Sequence, residues 1–341
     1  MKAVILVGGE ATRLLPLTCN IPKAIIPVLN TPFLEYVIRY LSQHQIKDII
    51  LTQGHLSFES YLGDGSRFGV KLSYTTEDNP LGTAGAVKNA EKHLDGTFLV
   101  LNGDIFTELD ITAMISFHLE KKAKITIALT EVDDPTSYGL VETDTENRIT
   151  SFLEKPSWNQ ITTNMINAGV YVLEPDVLAQ IPPQANFSFE HELFPLLLDR
   201  GEPIYAYPSS AYWIDMGTPE KYLQLHRDLL SGKGSANQYS SASGEGVLIG
   251  EQSYIHPKAR IKGPVVIGSG CTILEGAVIE QSIIWHKVKI GRRATVRNSI
   301  VANHCCLNDD SIIEESVLGD NVTLSSGCKL EPGSKIWPGL H

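Results

Sequence analysis

Two hydrophobic rhythms divide the chain. Up to about residue 230, short continuous apolar runs alternate with stretches whose apolar residues recur at helical spacing. An apolar run bounded by glycine reads as a strand buried on both faces, as inside a parallel sheet. Such runs lie at 3–7, 48–52, 70–75, 98–101, 125–130 and 204–207. Between them Phe33, Leu34, Val37, Ile38 and Leu41 mark one helical face, with Thr31 as N-cap and Pro32 as first residue. Residues 80–82 read as a turn and Thr83 as the cap of a helix carrying Ala86, Val87, Ala90 and Leu94. Helices are also read at 111–122 and 189–198, and a last one after Asp215, capped by Thr218 and Pro219. This alternation predicts an α/β domain with a mostly parallel sheet.

Beyond it the rhythm changes. Residues 231–243, SGKGSANQYSSAS, are small and polar and read as a linker between a catalytic domain (1–230) and a second domain (244–341). Then Ile249, Ile255, Ile261, Ile267, Ile273 and Ile279 recur every six residues, and Ser253, Ala259, Val265, Cys271, Ala277 and Ile283 follow four places after each. After a one-residue phase slip the series resumes at Ile284, Ile290 and Val296, and again at Leu318, Leu324 and Leu330. A six-residue period marks a parallel β-helix, and this length at about 18 residues per coil gives about five coils.

Composition adds limits. A net charge of −11 argues against general affinity for nucleic acid or an anionic membrane. A phosphate site must then be a local basic patch, helped by a divalent cation. The chain opens directly on a strand and no apolar run approaches the ~20 residues of a membrane span, so a cytoplasmic location is expected. Cys19, Cys271, Cys305, Cys306 and Cys328 form no CxxC pair and read as reduced core residues.

The candidate chemistry sits at strand ends. Gly8 and Gly9 close the first run, and Arg13 and Lys23 follow. Glycines there let backbone N–H groups approach phosphate oxygens, and the two cations offset polyphosphate charge. The loop is neither a Walker A loop nor a GxGxxG turn. Asp104 follows Asn102 and Gly103 at the end of another run, and Asp215 ends a later one. Two aspartates from different strand ends can clamp a cation. No GxSxG or HExxH spacing marks a covalent nucleophile or zinc site.

GGEATRLLPLT followed by IPKAIIPV resembles the opening of the sugar-nucleotide pyrophosphorylases, nucleotidyltransferases that join a nucleoside triphosphate to a sugar 1-phosphate. The resemblance implies a Rossmann-like, mostly parallel sheet, a left-handed β-helix of hexapeptide repeats, and Mg²⁺ as cofactor. It implies nucleotide contacts at Leu6, Gly8, Gly9, Thr12, Arg13, Lys23, Glu77, Gly82, Thr83, Asn102 and Asp104, with Arg13, Lys23 and Asp104 catalytic. Tyr138, Gly139, Glu154, Lys155 and Asn167 fall where the family holds the sugar phosphate, and Asp104 and Asp215 where it holds metal. Ala11 and Ala24 depart from the family's glycine and proline. Alanine at 11 costs about 1 kcal/mol or more if that position needs positive φ.

The PLGTAG step and the KIWPG ending are similar to the mannose-1-phosphate guanylyltransferases, which favours GTP, with Glu77 or Asp78 accepting from guanine N1 and N2. Glucose 1-phosphate with UTP or dTTP is the alternative. From other classes stand a non-catalytic regulatory relative, motivated by Ala11 and Ala24, and a β-helix acyltransferase using His256, His286 or His304. The β-helix is expected to mediate homo-oligomerisation.

Overall fold

The structure, a computed structural model, describes residues 1–9, 11–54, 58–233 and 246–340. The chain gathers into two compact units that do not follow chain order. One comprises Met1–Glu10 and Val37–Trp213, the other Ala11–Tyr36 and Ile214–His341.

The first unit is built on a nine-stranded mixed sheet. Its opening strand, Lys2–Leu6, lies between Asp48–Gln53 and Phe98–Asn102, parallel to both, with Lys71–Thr76 parallel beyond Asp48–Gln53. Leu6 is opposite Thr52 and Asn102, so all three chains leave the sheet at one edge. Ala3, Val4 and Ile5 are fully buried, as their continuous apolar run requires, each large side chain contributing about 1.5–3 kcal/mol. The direction reverses at Met165–Leu173, which is antiparallel to Phe98–Asn102, Ile125–Glu131 and Gly139–Thr143. Ile149–Glu154 pairs antiparallel with Gly139–Thr143, and Ile204–Pro208 parallel with Ile125–Glu131. Ala84 and Val87 of helix Gly82–Asn89, and Ala90 at its C-cap, share a core with Val4, Val100 and Ile127.

Three local expectations are corrected. Thr83 lies inside its helix, whose N-cap is Leu81 without a side-chain cap. The segment read as one helix at 189–198 is a π-turn, Phe189–Leu193, followed by the α-helix Phe194–Asp199. Pro195 explains the break, because it has no N–H to continue the α-helical ladder. Thr31 and Pro32 are a short strand paired with Pro27–Val28, and the helix begins at Phe33. Leu29 and Asn30 turn that hairpin with φ of 46° and 64°, the pair of left-handed residues that a two-residue hairpin loop demands.

The second unit carries the β-helix, whose parallel strands stack in three sheets of six, five and four. The phase slip proves to be recurrent. Val247 pairs with Val265, 18 residues on, but Ile283 pairs with Ile300 and Ile300 with Val317, 17 on, before Val317 pairs with Lys335 at 18 again. The shortened corner holds Ser282, Ser299 and Ser316, all buried. Each hydroxyl donates to the carbonyl two residues back, and the Ser282 and Ser299 hydroxyls accept the backbone N–H of Ser299 and Ser316 (both 3.1 Å). Ile283 is a strand residue beside this ladder. Ile267, Ile273, Ile279, Ile284, Ile290 and Val296 fill the interior.

Among the cysteines, Cys271 and Cys305 are buried, whereas Cys19 is exposed and so departs from a core reading. The linker assigned to 231–243 lies outside the described residues from 234 onward. No helix of the described residues is long and apolar enough to cross a membrane.

Candidate active site

In the first unit the parallel register brings the loops after Leu6, Gln53 and Asn102 to one edge. Val7 donates to the Thr52 carbonyl (3.0 Å) and Gly103 to that of Leu6 (2.9 Å). A Cβ on Gly103 would lie 2.5 Å from the Leu6 carbonyl oxygen, so only glycine lets Asp104 follow so closely on the opening strand. Gly8 faces Glu77, since a Cβ there would meet Glu77 Oε1 at 3.3 Å. Glu77 Oε2 accepts the Leu81 N–H (3.0 Å), which fixes the carboxylate ahead of helix Gly82–Asn89. Burial raises the Glu77 pKa, partly offset by that hydrogen bond. Gly82 takes φ +71°, and a Cβ would stand 2.7 Å from the Phe187 carbonyl. Gly9 has open space around it.

A continuous hydrogen-bond chain then joins the two sets of expected contacts in this unit. Thr83 Oγ1 donates to Glu190 Oε2 (2.9 Å), Tyr171 Oη donates to Glu190 Oε1 (3.2 Å), and Asn167 Nδ2 donates to Tyr171 Oη (2.9 Å). Asn167 Oδ1 accepts from Gly169 N–H (2.9 Å). Gly169, at φ +70°, is so close to Asn102 that a Cβ would sit 2.7 Å from its Nδ2. Gly139 is paired with Glu154, and a Cβ on it would lie 2.9 Å from Glu154 Oε2. Burial first, then Glu190, raises the Glu154 pKa, while Lys155 opposes the rise. Lys155 stands at φ 48° and donates its N–H to the Tyr138 carbonyl (2.9 Å). The Tyr138 ring meets Trp213 edge-on at 5.6 Å.

Glu190 has no counterpart in the sequence reading. It lies in the π-turn, where Ser188 accepts from both the Glu190 and His191 N–H groups. The signal was Pro195, which marks an irregular helix start, and irregular turns of this kind recur at functional sites.

The second unit holds the remaining expected residues. Thr12 and Arg13 lie in the turn Thr12–Leu14, and Lys23 opens the turn Lys23–Ile25. Ala11 has φ −89°, so it carries none of the strain that a glycine-demanding position would impose. Its carbonyl accepts from Thr18 Oγ1 (2.9 Å) and Leu14 N–H (3.1 Å). Ala24 is buried in its turn without a positive φ. Gly217 joins Arg13 to Asp215, because its Cβ position is 2.9 Å from Arg13 Nη2 and 2.7 Å from Asp215 Oδ1.

Asp215 is 8% exposed. Its Oδ2 takes a 3.4 Å contact from Lys221 Nζ, but Oδ1 is buried without a hydrogen-bond partner. A buried carboxylate oxygen left unpaired costs several kcal/mol in principle, on the order of 3, unless a cation meets it. In the first unit the Asn102 Oδ1, two residues before Asp104, is also buried and unpartnered. Oxygen donors of this kind suit a hard divalent cation. Among the described residues no three His, Cys, Asp or Glu side chains form a metal cluster.

Residues 2–232 match the family described as Nucleotidyl transferase, and residues 244–338 match the GMPPB C-terminal domain. The mannose-1-phosphate guanylyltransferase of Mycobacterium tuberculosis is 35% identical over 344 residues, spanning 100% of this chain and 95% of that protein. The UTP--glucose-1-phosphate uridylyltransferase of Synechocystis is also 35% identical, over 90% of this chain and 89% of that protein. Among solved structures, HddC from Yersinia pseudotuberculosis complexed with GMP-PN has a TM-score of 0.56 at 33% identity, covering 66% of this chain and 97% of that one. With its mixed Rossmann-like sheet, its parallel β-helix and a family match across nearly its whole length, the chain belongs to the nucleotidyl transferase family.

Proposed function

We propose that the protein joins GTP to mannose 1-phosphate, releasing pyrophosphate and forming GDP-mannose. What carries this reading is the span of the similarity. The guanylyltransferase relative matches both the sheet unit and the β-helix. Glu77 supports the choice of base. It is buried, braced by Leu81 and turned toward Gly8, whereas Asp78 is exposed. A desolvated carboxylate rewards the N1 and N2 donors of guanine and is left underpaired by uracil, a difference worth ~100-fold or more in selectivity.

In the reaction a sugar-phosphate oxygen forms the new bond to the α-phosphorus as the bond to the β-phosphate breaks. The nucleophile is already anionic, so alignment and charge suffice and no base is needed. Arg13 and Lys23 offset triphosphate charge, Lys155 orients the sugar phosphate, and Glu154 and Asn167 accept from and donate to sugar hydroxyls. Asp104 and Asp215 would hold Mg²⁺, which supplies neutralisation of phosphate charge when bound.

The test is pyrophosphate release across GTP, ATP, UTP and dTTP, each with mannose and glucose 1-phosphates. GTP with mannose 1-phosphate should lead by at least about 100-fold in kcat/KM. The Synechocystis relative favours a second reading, UTP with glucose 1-phosphate, and dominance of that pair would replace the first.

A further inference from the structure

The loop that carries Lys23 is held in the second unit by an unusual set of partners. Tyr222, on helix Pro219–Leu230, donates its hydroxyl to the Pro27 carbonyl, and Trp285 Nε1 of the β-helix donates to that hydroxyl (3.0 Å). Both side chains are fully buried. Leu29 N–H donates to His226 Nε2 (3.2 Å), which places the imidazole proton on Nδ1, where it meets the Tyr222 carbonyl (2.9 Å). Asn30 Nδ2 donates to the Ile267 carbonyl (2.9 Å), and Asn20 Nδ2 donates to Asp320 Oδ2 (3.1 Å). Asp320 is itself fixed by Asn303, through N–H at 2.9 Å and Nδ2 at 3.1 Å. Both flanks of Lys23 are thus tied to the β-helix.

We infer that Tyr222 and Trp285 are positioning residues for nucleotidyl transfer, setting through Pro27 the loop from which Lys23 acts. The inference rests on the phosphate-handling role proposed for Arg13 and Lys23. It gives the β-helix a part in turnover. A displacement of about 1 Å in a charge-offsetting group is enough to cost about 10- to 100-fold in rate.

The test is steady-state pyrophosphate release by Tyr222→Phe, Trp285→Phe and their combination, at a temperature where thermal melting shows the full chain folded. Tyr222→Phe removes both hydrogen bonds and should lower kcat about tenfold with KM for the sugar phosphate changed less than about twofold. The double variant should be no worse than Tyr222→Phe alone. In a Lys23→Ala background, Tyr222→Phe should add less than about a twofold loss, because the residue it positions is gone. If the tyrosine variant fails to fold, Asn30→Gly takes its place, since glycine keeps the left-handed backbone and removes only the bond to Ile267. An unchanged kcat in these variants, or a loss that multiplies fully with that of Lys23→Ala, would overturn the inference. Full turnover in Arg13→Ala and Lys23→Ala would instead overturn the phosphate reading beneath it.

Discussion

In the β-helix, Ser282, Ser299 and Ser316 repeat one hydrogen bond from coil to coil, and Asn303 and Asp320 continue a similar column from His286, whose N–H donates to Asn303 Oδ1. In the sheet unit, Thr83 of helix Gly82–Asn89 and Tyr171 of strand Met165–Leu173 meet once, on Glu190, and Asn167 of that same strand donates to Tyr171. Repetition lets each coil satisfy the next, so a serine of the ladder adds stability and little else, whereas Asp320 also holds Asn20. Convergence ties a contact to one place and leaves polar atoms such as Asn102 Oδ1 without a protein partner. Repeated polar atoms are satisfied from coil to coil, whereas those gathered at one place need partners from several parts of the chain.

The second unit uses convergence too, at His226, which Leu29 and Tyr222 meet. Burial lowers the His226 imidazole from 6.5 to about 4. The unfolded chain then binds the proton first, so stability should be intact above pH 6.5 and fall as pH drops toward 4, by about 3 kcal/mol in all. Urea unfolding at several pH values should show this slope, and His226→Gln should flatten it. Next in size, Glu190→Ala strips the acceptor from Tyr171 and Thr83 and should cost about 2 kcal/mol in the same assay. A loss within ~0.5 kcal/mol would mean that this convergence is not structural.

The β-helix contains its own exception, and it sharpens the rule. Ser311 Oγ is buried without a partner, at the position where the preceding coils have Ala277 and Ala294. Ser311→Ala should raise the melting free energy by about 1 kcal/mol and leave turnover unchanged. Smallest of all, Ala11→Gly should alter kcat less than about twofold, because φ is −89° and no strain awaits relief. A larger gain would show that the loop is strained in a way its backbone does not display.

The period of the β-helix was legible because every coil repeats it, down to Ile267, Ile273 and Ile279 in the interior. Its recurrence at 17 residues was not, since the shortening depends on serine hydroxyls spanning neighbouring coils. Strand positions in the sheet unit were legible from continuous apolar runs, but the reversal at Met165–Leu173 was not, because burial on both faces looks the same in either direction. Thr31 looked like a helix cap because its local sequence favours one. The hairpin at Leu29 and Asn30, held by His226 and Ile267 far along the chain, decides otherwise. Grouping of 11–36 with the β-helix rests on such distant contacts, which no local rhythm encodes. Glycines at 8, 82 and 103 stood out in the motifs, whereas Glu190 carried no motif and is recognised only by what converges on it.

Asp215, whose buried Oδ1 has no protein partner, contrasts with Asp309, whose Oδ1 accepts the Arg292 N–H at 2.7 Å within the repeat. The most direct measurement is kcat for pyrophosphate release in Asp215→Asn beside Asp309→Ala, with melting temperatures for both. Asp215→Asn should lose at least about 100-fold in kcat while melting near the parent, and Asp309→Ala, which removes the acceptor for Arg292, should melt lower with kcat unchanged. Parental turnover in Asp215→Asn would contradict the assignment of that unsatisfied oxygen to the chemistry.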